Sequence, residues 1–378
     1  MTEFDALTAA RSVVAELAAH ADHGEQAGQL AEASVEALKS SGMLSLWRPL
    51  GLGGHECDPV RYAAAAEEIA TADSAAGWMM HGVSAMWFDL RLADASFIAE
   101  IVEGPDVPVF AESFNKPQQA TRVEGGYRLN GATPFASNCR SADWIGHTAV
   151  AGGQMLIVYH PRGALEIQDD WHSLGMRGTS SNTVVSHDAF VPQHRTIDLG
   201  AGQRHPDFGG ALYRMPEGTI PVAVAAVSLG VLRTALDELG EIAENKTPFA
   251  ASATLKHRAL AQLHFGQALA TYRAARSYLH DTLGEACRRA QAGDAFDLRQ
   301  KADLILAYAH VLQSCVGAVR RIGKAAGTSA IYRGSPIERA IRDSEVISHH
   351  AFGAEGRFAS VAQAYWGLDV DFPLLGMD

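Results

Sequence analysis

Eight residues, Gly175-Met176-Arg177-Gly178-Thr179-Ser180-Ser181-Asn182, bring glycines and hydrogen-bond donors together. Glycine lets the backbone come close to another group, and Arg177, Thr179 and Ser180 supply donors to whatever lies there. The β-branched Thr183-Val184-Val185 reads as a strand, and Asp188 to Pro192 as a turn into a short exit strand. With no ligand, the same pattern is simply a glycine-containing strand connection. A second concentration of chemistry is Trp78, Met79, Met80, His81, Met86, Trp87 and Phe88, all within one predicted helix. Met79, Val83, Met86 and Leu90 share an apolar stripe, and Trp78, His81 and Ala85 lie on an adjacent one. The plain reading is aromatic core. The functional reading is an aromatic-lined pocket with His81 as its polar tooth and Trp78 and Trp87 toward a substrate. Near the C-terminus stand His349 and His350, and an imidazole is a side chain that can serve as acid or base.

These residues need a scaffold, and the periodicity supplies three blocks. Residues 6–20, 27–42 and 60–71 are alanine-rich with helical spacing, and Asp73 or Ser74 caps the aromatic helix that runs to about Leu92. Between 108 and 195 the pattern changes to short strands at 108–111, 120–123, 127–130 and 155–159. The glycine pairs Gly125-Gly126 and Gly152-Gly153 read as hairpin turns, which points to a small β-barrel or sandwich. Residues 195–219 read as a long connecting loop. Helical period returns over 221–243, 250–292 and 296–325, and a final helix is expected from Ile337 to about Trp366. Alanines and Gly317 permit close approach of these helices, and the set reads as a four-helix bundle. The fold class is therefore α+β, with an N-terminal helical domain at 1–107, a central β-domain at 108–215 and a C-terminal bundle at 216–378.

Composition narrows the function. A formal net charge of -12 disfavours nucleic acid as a partner. The four cysteines are widely spaced with no C-x-x-C pair, so neither a metal nor a redox dithiol is expected, and a reducing cytoplasm fits. No secretory leader opens the chain, and no uninterrupted apolar run reaches the ~18–20 residues of a membrane span. No G-x-G-x-x-G follows a strand, so a built-in NAD(P)H site is not expected.

Leu174-Gly175-Met176-Arg177-Gly178-Thr179, followed by a polar strand, Asp188 and Val191-Pro192, resembles the central β-domain of the acyl-CoA dehydrogenase superfamily. Gly51-Leu52-Gly53-Gly54-His55-Glu56 and Gly125-Gly126-Tyr127-Arg128-Leu129-Asn130-Gly131 ahead of Phe135-Ala136-Ser137-Asn138 extend the likeness over nearly the whole chain. The resemblance implies a flavin (FAD or FMN) held against the β-domain. Ser137 and Asn138 would border flavin N5, and Arg177, Thr179 and Ser180 would bind the cofactor. It also implies a homotetramer.

The departures from the dehydrogenase pattern select a branch. Dehydrogenases place a glutamate base after an Arg-Asp pair; here Arg342-Asp343 is followed by Ser344-Glu345-Val346-Ile347-Ser348-His349-His350, and Glu345 comes too early. The dehydrogenase arginine for the cofactor diphosphate is missing, with Lys246 in its region as a point charge. That departure leaves FAD or FMN open, whereas the missing glutamate and the replacement of the dehydrogenase Thr-Glu-Pro flavin segment by Ala111-Glu112-Ser113-Phe114 resemble the two-component, group D flavin monooxygenases, which take reduced flavin from a separate NAD(P)H:flavin reductase and use O2 through a C4a-hydroperoxyflavin. That resemblance makes His350 the acid/base beside Ser137 and His81, and puts His349 with Trp78, His81 and Trp87 toward a small aromatic or heteroaromatic substrate. The alternatives are an acyl-CoA dehydrogenase with a displaced base, discriminated by anaerobic bleaching with an acyl-CoA, and a non-catalytic flavin-binding protein.

Overall fold

The computed structural model describes residues 4–104, 106–199 and 205–376. Parts of the expected elements at 1–3, 105, 200–204 and 377–378 lie outside the described residues. Contacts divide the chain into two units: Met1–Cys57, Trp78–His172 and Arg177–Arg214 in the first, and Asp58–Gly77, Ser173–Met176 and Met215–Asp378 in the second.

Five helices precede the first strand: α1 (Ala6–Ala27), α2 (Glu32–Ser40), α3 (Pro59–Ala72), α4 (Ser74–Asp89) and α5 (Ala95–Val102). Aspartates start most of them. Asp5, Asp58, Asp73 and Asp94 each accept a hydrogen bond from a first-turn backbone N–H, satisfying donors that the helix itself leaves unpaired. α5 was not expected from the sequence; at eight residues it is too short for its period to stand out.

The first unit is built on one seven-stranded sheet in the order β5-β6-β2-β1-β3-β4-β7. The strands are β1 (Phe110–Val123), β2 (Gly126–Ala136), β3 (Trp144–Ala151), β4 (Gln154–Pro161), β5 (Glu166–Ile167), β6 (Asn182–Pro192) and β7 (Thr196–Asp198). The expected strands at 108–111 and 120–123 are the ends of a single strand, β1, whose register with β3 slips between Ser113 and Gln118. β1 and β3 run parallel; every other pair is antiparallel. Both expected hairpins form, and Gly125, Gly152 and Gly153 take φ of 79°, 57° and 90°, which only glycine adopts freely. The expected turn at Asp188 is instead a kink inside β6: Asp188 sits at φ 51°, held by Arg128 Nη1 at 2.9 Å from its carbonyl and 2.8 Å from its carboxylate. Ala111, Ala136, Cys139, Ile145, Leu165 and Val184 form one buried cluster of the sheet, and Tyr127, Leu129, Ala149, Leu156, Val158 and Val191 another.

The second unit is helical: α3, α6 (Val222–Asn245), α7 (Ala259–Ala292), α8 (Leu298–Ala326), α9 (Pro336–Ser348) and α10 (Gly356–Trp366). α6 is its axis, buried without interruption from Val222 to Leu232 and packed on α3, α8 and α9. Gly230 allows the α3 contact, since a Cβ there would lie 2.6 Å from the Glu67 carbonyl oxygen. Gly317, expected at a close seam, faces open space; Gly323 is the close one, 2.6 Å from Ile341 Cδ1. Windows within Glu217–Asn245 and Leu298–Ala330 are long and apolar enough to cross a membrane, although charged residues interrupt the apolar runs at the sequence level. They are 89% and 67% buried, so their apolar surface is used mostly by the unit itself.

On β3 and β4, His147 and His160 stack at 5.3 Å with their planes 9° apart, and both are buried. Burial lowers them to about pKa 4 and about 3, with His147 and Arg195 further disfavouring charge on His160. An unfolded chain protonates them near the ordinary 6.5, so the stability of the neutral pair is intact above that value and is lost as pH falls from 6.5 toward 4. Urea unfolding midpoints should therefore drop over that window in the wild type and depend more weakly on pH in His147→Leu/His160→Leu. Equal slopes would refute the assignment.

Candidate active site

In the first unit the residues around Ser137 form a connected polar cluster. Ser137 follows the end of β2, and its Oγ accepts a hydrogen bond from Trp78 Nε1 of α4 at 3.1 Å. The same Oγ lies 2.8 Å from Ser181 Oγ, which lies 2.7 Å from Thr179 Oγ1. The backbone N–H of Asn138 donates to the Thr179 carbonyl at 2.7 Å, tying the end of β2 to the segment before β6. Asn138 Nδ2 reaches the Phe110 carbonyl at 3.4 Å, and a Cβ on Gly82 would come within 2.8 Å of that nitrogen, so glycine is what lets α4 lie against Asn138. His81 meets Trp78 edge-on, with ring centroids 5.7 Å apart.

Phe135, Asn138 and Ser180 have φ of 62°, 71° and 43°, a region that costs a residue with a Cβ about 1–3 kcal/mol. Three such residues at one cluster mark a place where backbone strain is retained to hold a geometry. Phe135 is also 53% exposed, with its ring edge-on to Trp171 at 6.0 Å. Cys139, beside the cluster, is pushed up to about pKa 11 by burial and is not a nucleophile at neutral pH.

The structure brings together Trp78, His81, Ser137, Asn138, Thr179 and Ser180, and adds Ser181, which the sequence reading passed over. The signal was in the spacing, because Thr179 and Ser181 are alternate residues in a run leading into an extended strand. Arg177 lies in the same turn, its Nε buried and without a hydrogen-bond partner among the described residues. Trp87 does not join them. Nine residues after Trp78, it lies on the opposite face of α4, 0% exposed, edge-on to Phe110 at 5.5 Å and under Arg48. Trp87 is core, as periodicity alone would have it.

In the second unit, α9 carries Arg342 and Asp343. One Asp343 oxygen accepts from Ser74 Oγ and the other from the Met176 N–H, both at 2.6 Å. Gly175 packs so closely on the Arg342 carbonyl that a Cβ would clash with it. The expected helix from Ile337 to Trp366 is two helices, broken at 349–355. His349 and His350 therefore stand in a turn and not on a helical face. Gln313 of α8 fixes that turn by donating to the carbonyls of Ser348 and Gly353 at 3.0 and 2.9 Å. His350 is half-buried against Phe352, with ring centroids 5.1 Å apart. The His349 side chain is 79% exposed, with Nε2 4.0 Å from Glu345 Oε1. Lys246, expected to stand in for a diphosphate arginine, donates to the Ala326 carbonyl at 2.8 Å and to Ser329 Oγ at 2.9 Å, and so caps the C-terminal end of α8.

Two family models match the chain: acyl-CoA dehydrogenase, N-terminal domain, over residues 6–93, and acyl-CoA dehydrogenase, C-terminal domain, over residues 222–355. The chain belongs to the acyl-CoA dehydrogenase family. It is 29% identical over 340 residues to an indole-3-acetate monooxygenase of Pseudomonas putida, covering 88% of this chain and 86% of that one. It is 29% identical over 348 residues to the flavin-dependent monooxygenase oxygenase subunit HsaA of Rhodococcus jostii, covering 88% and 90%. Its fold matches XiaF from Streptomyces sp., solved with FADH2 and glycerol, at a TM-score of 0.91 and 22% identity over 97% of this chain and 96% of that one. These relatives place the chain in the family's flavin-dependent monooxygenase branch.

Asp73 is buried near Asp343, and burial, reinforced by that second carboxylate, raises it to about pKa 6 from 3.8. A raised carboxylate contributes stability that is present below the unfolded value of 3.8 and is lost as pH rises through 6. Asp73→Asn keeps the acceptor for the Ala75 N–H and removes the charge. It should stabilise the protein at pH 8 by about 2–3 kcal/mol, with the gain vanishing toward pH 4. Unfolding free energies at the two pH values check this, and a gain of equal size at both would contradict it.

Proposed function

We propose that this chain is the oxygenase component of a two-component system. It would bind reduced flavin supplied by a separate NAD(P)H:flavin reductase and hydroxylate a small aromatic or heteroaromatic substrate with O2. The observation that carries this reading is the fate of the carboxylates near Arg342. Both Asp343 oxygens are taken by hydrogen bonds, and Glu345 forms a bidentate pair with Arg320, with its two oxygens each 2.6 Å from Nη2. A dehydrogenase needs a carboxylate free to remove a proton from carbon, and neither group is free to do so.

The first unit fits a flavin. Its cluster offers hydroxyls and an amide, with the Arg177 guanidinium in the same turn, which suits the mixed donors and acceptors of an isoalloxazine edge. Asn138 Oδ1 and Arg177 Nε are buried without hydrogen-bond partners among the described residues, as expected of groups kept for a ligand. Ser137 and Asn138 would border the ring, and Arg177, Thr179 and Ser180 would hold the cofactor. Bound reduced flavin supplies the electrons that activate O2. His81, beside Trp78, would face the substrate. His350 is the proposed acid/base, on the strength of its offset from Arg342-Asp343 and its imidazole, which can hold or release a proton near neutral pH. Assembly as a homotetramer and a cytoplasmic location belong to the same reading.

With reductase, NAD(P)H, flavin and an accepted substrate, His350→Ala should lower product formation by about 10²–10⁴-fold, and hydrogen peroxide should appear in its place. His349→Ala, at an exposed position, should remain near wild type. The reverse pattern would move the acid/base to His349. Anaerobic bleaching of bound flavin by an acyl-CoA would overturn the oxygenase reading in favour of a dehydrogenase.

A further inference from the structure

Ser137 has one proton and two lone pairs, and its neighbours use them in a fixed way. We propose that Ser181, backed by Thr179, is a positioning residue that decides whether Ser137 donates to or accepts from the flavin; this rests on the flavin-binding reading above. Indole N–H is only a donor, so Trp78 Nε1, 3.1 Å away, always occupies one Ser137 lone pair. The remaining lone pair and the proton are divided between Ser181, at 2.8 Å, and the ligand. If Ser181 donates, Ser137 must donate to the ligand. If Ser181 accepts, Ser137 must accept from it. Thr179, at 2.7 Å, makes the matching adjustment one step further back.

The chemistry of the ligand requires both settings. Oxidised flavin presents N5 as an acceptor, and reduced flavin presents N5–H as a donor. The three hydroxyls run Thr179 to Ser181 to Ser137 in the first case and in the opposite sense in the second. In both, every proton between Ser137 and Ser181 has an acceptor. Thr179 and Ser181 are 1% and 6% exposed, so water is poorly placed to replace either one. A buried hydroxyl proton with no acceptor costs more than an unused lone pair. Loss of Ser181 therefore penalises the accepting state of Ser137, the state that binds reduced flavin, more than the donating state.

Anaerobic and aerobic titrations of the full-length protein with FMN and FAD read this directly. The wild type should bind reduced flavin more tightly than oxidised. Ser181→Ala should weaken reduced-flavin binding about tenfold and oxidised-flavin binding about threefold or less. Thr179→Val should act in the same direction and less strongly, and Ser181→Thr, which keeps the hydroxyl, should restore the wild-type ratio. In the flavin-free protein the Trp78 indole N–H resonance should stay in place in Ser181→Ala and move in Ser137→Ala. An unchanged affinity ratio in Ser181→Ala overturns the positioning role and leaves the flavin reading intact. A Trp78 resonance that moves as much as in Ser137→Ala overturns it too, by making Ser181 a structural prop. A wild type that binds no reduced flavin overturns both.

Discussion

A hydroxyl group has one proton and two lone pairs, and the first unit is arranged around the one at Ser137. Trp78 reaches it because α4 starts at an Asp73 cap and passes Asn138 at a glycine, Gly82. Ser181 and Thr179 reach it because the Asn138 N–H holds the Thr179 carbonyl at 2.7 Å. The sheet supplies the rigidity that lets Phe135, Asn138 and Ser180 keep left-handed backbone angles. Each contact is modest, but together they leave Ser137 little freedom except in the direction of its proton.

The second unit shows a different economy. Its charged groups are consumed by structure. Glu67 takes Arg276 at 2.7 Å and also Tyr272, while Glu68 takes Arg233 at 2.8 Å, so that α3 is fastened to α6 and α7 through buried carboxylates. Removing one partner from such a pair would leave a buried charge uncompensated. Asp343 is engaged by the Ser74 hydroxyl and the Met176 N–H, and Glu345 by Arg320 at the surface, which leaves His350 as the proposed acid/base of the turn after α9. The branch of the family thus shows in what its acids are bonded to as well as in which residues are present.

Much of this was legible in the sequence. The stripe Leu304, Tyr308, Val311, Cys315, Val319 and Ile322 is buried along α8 as its spacing requires, and both glycine hairpins form. The order of helices, sheet and bundle follows from the change of period near residue 108. What was not legible depends on tertiary contacts. β3 carries Gly146, His147 and Thr148, which do not alternate as a half-buried strand does, because nearly all of it is buried. The break at 349–355 is held by Gln313, 35 residues away from Ser348 in sequence, and no local pattern announces it. Trp87 and Trp78 look alike in sequence; only the helical phase and the packing of Phe110 separate them. Lys246 looked like a free cation until the end of α8 was found on it.

The central claim is that this scaffold delivers oxygen from bound reduced flavin to a small aromatic molecule. The most direct measurement supplies the protein with chemically reduced flavin under anaerobic conditions, then isotopically heavy O2 and a panel of small phenols and heteroaromatics, with products analysed by mass spectrometry. The account requires a hydroxylated product carrying one heavy oxygen atom, formed without any reductase once the flavin is already reduced. Flavin reoxidation that yields only peroxide across the whole panel, or product oxygen drawn from water, would contradict it.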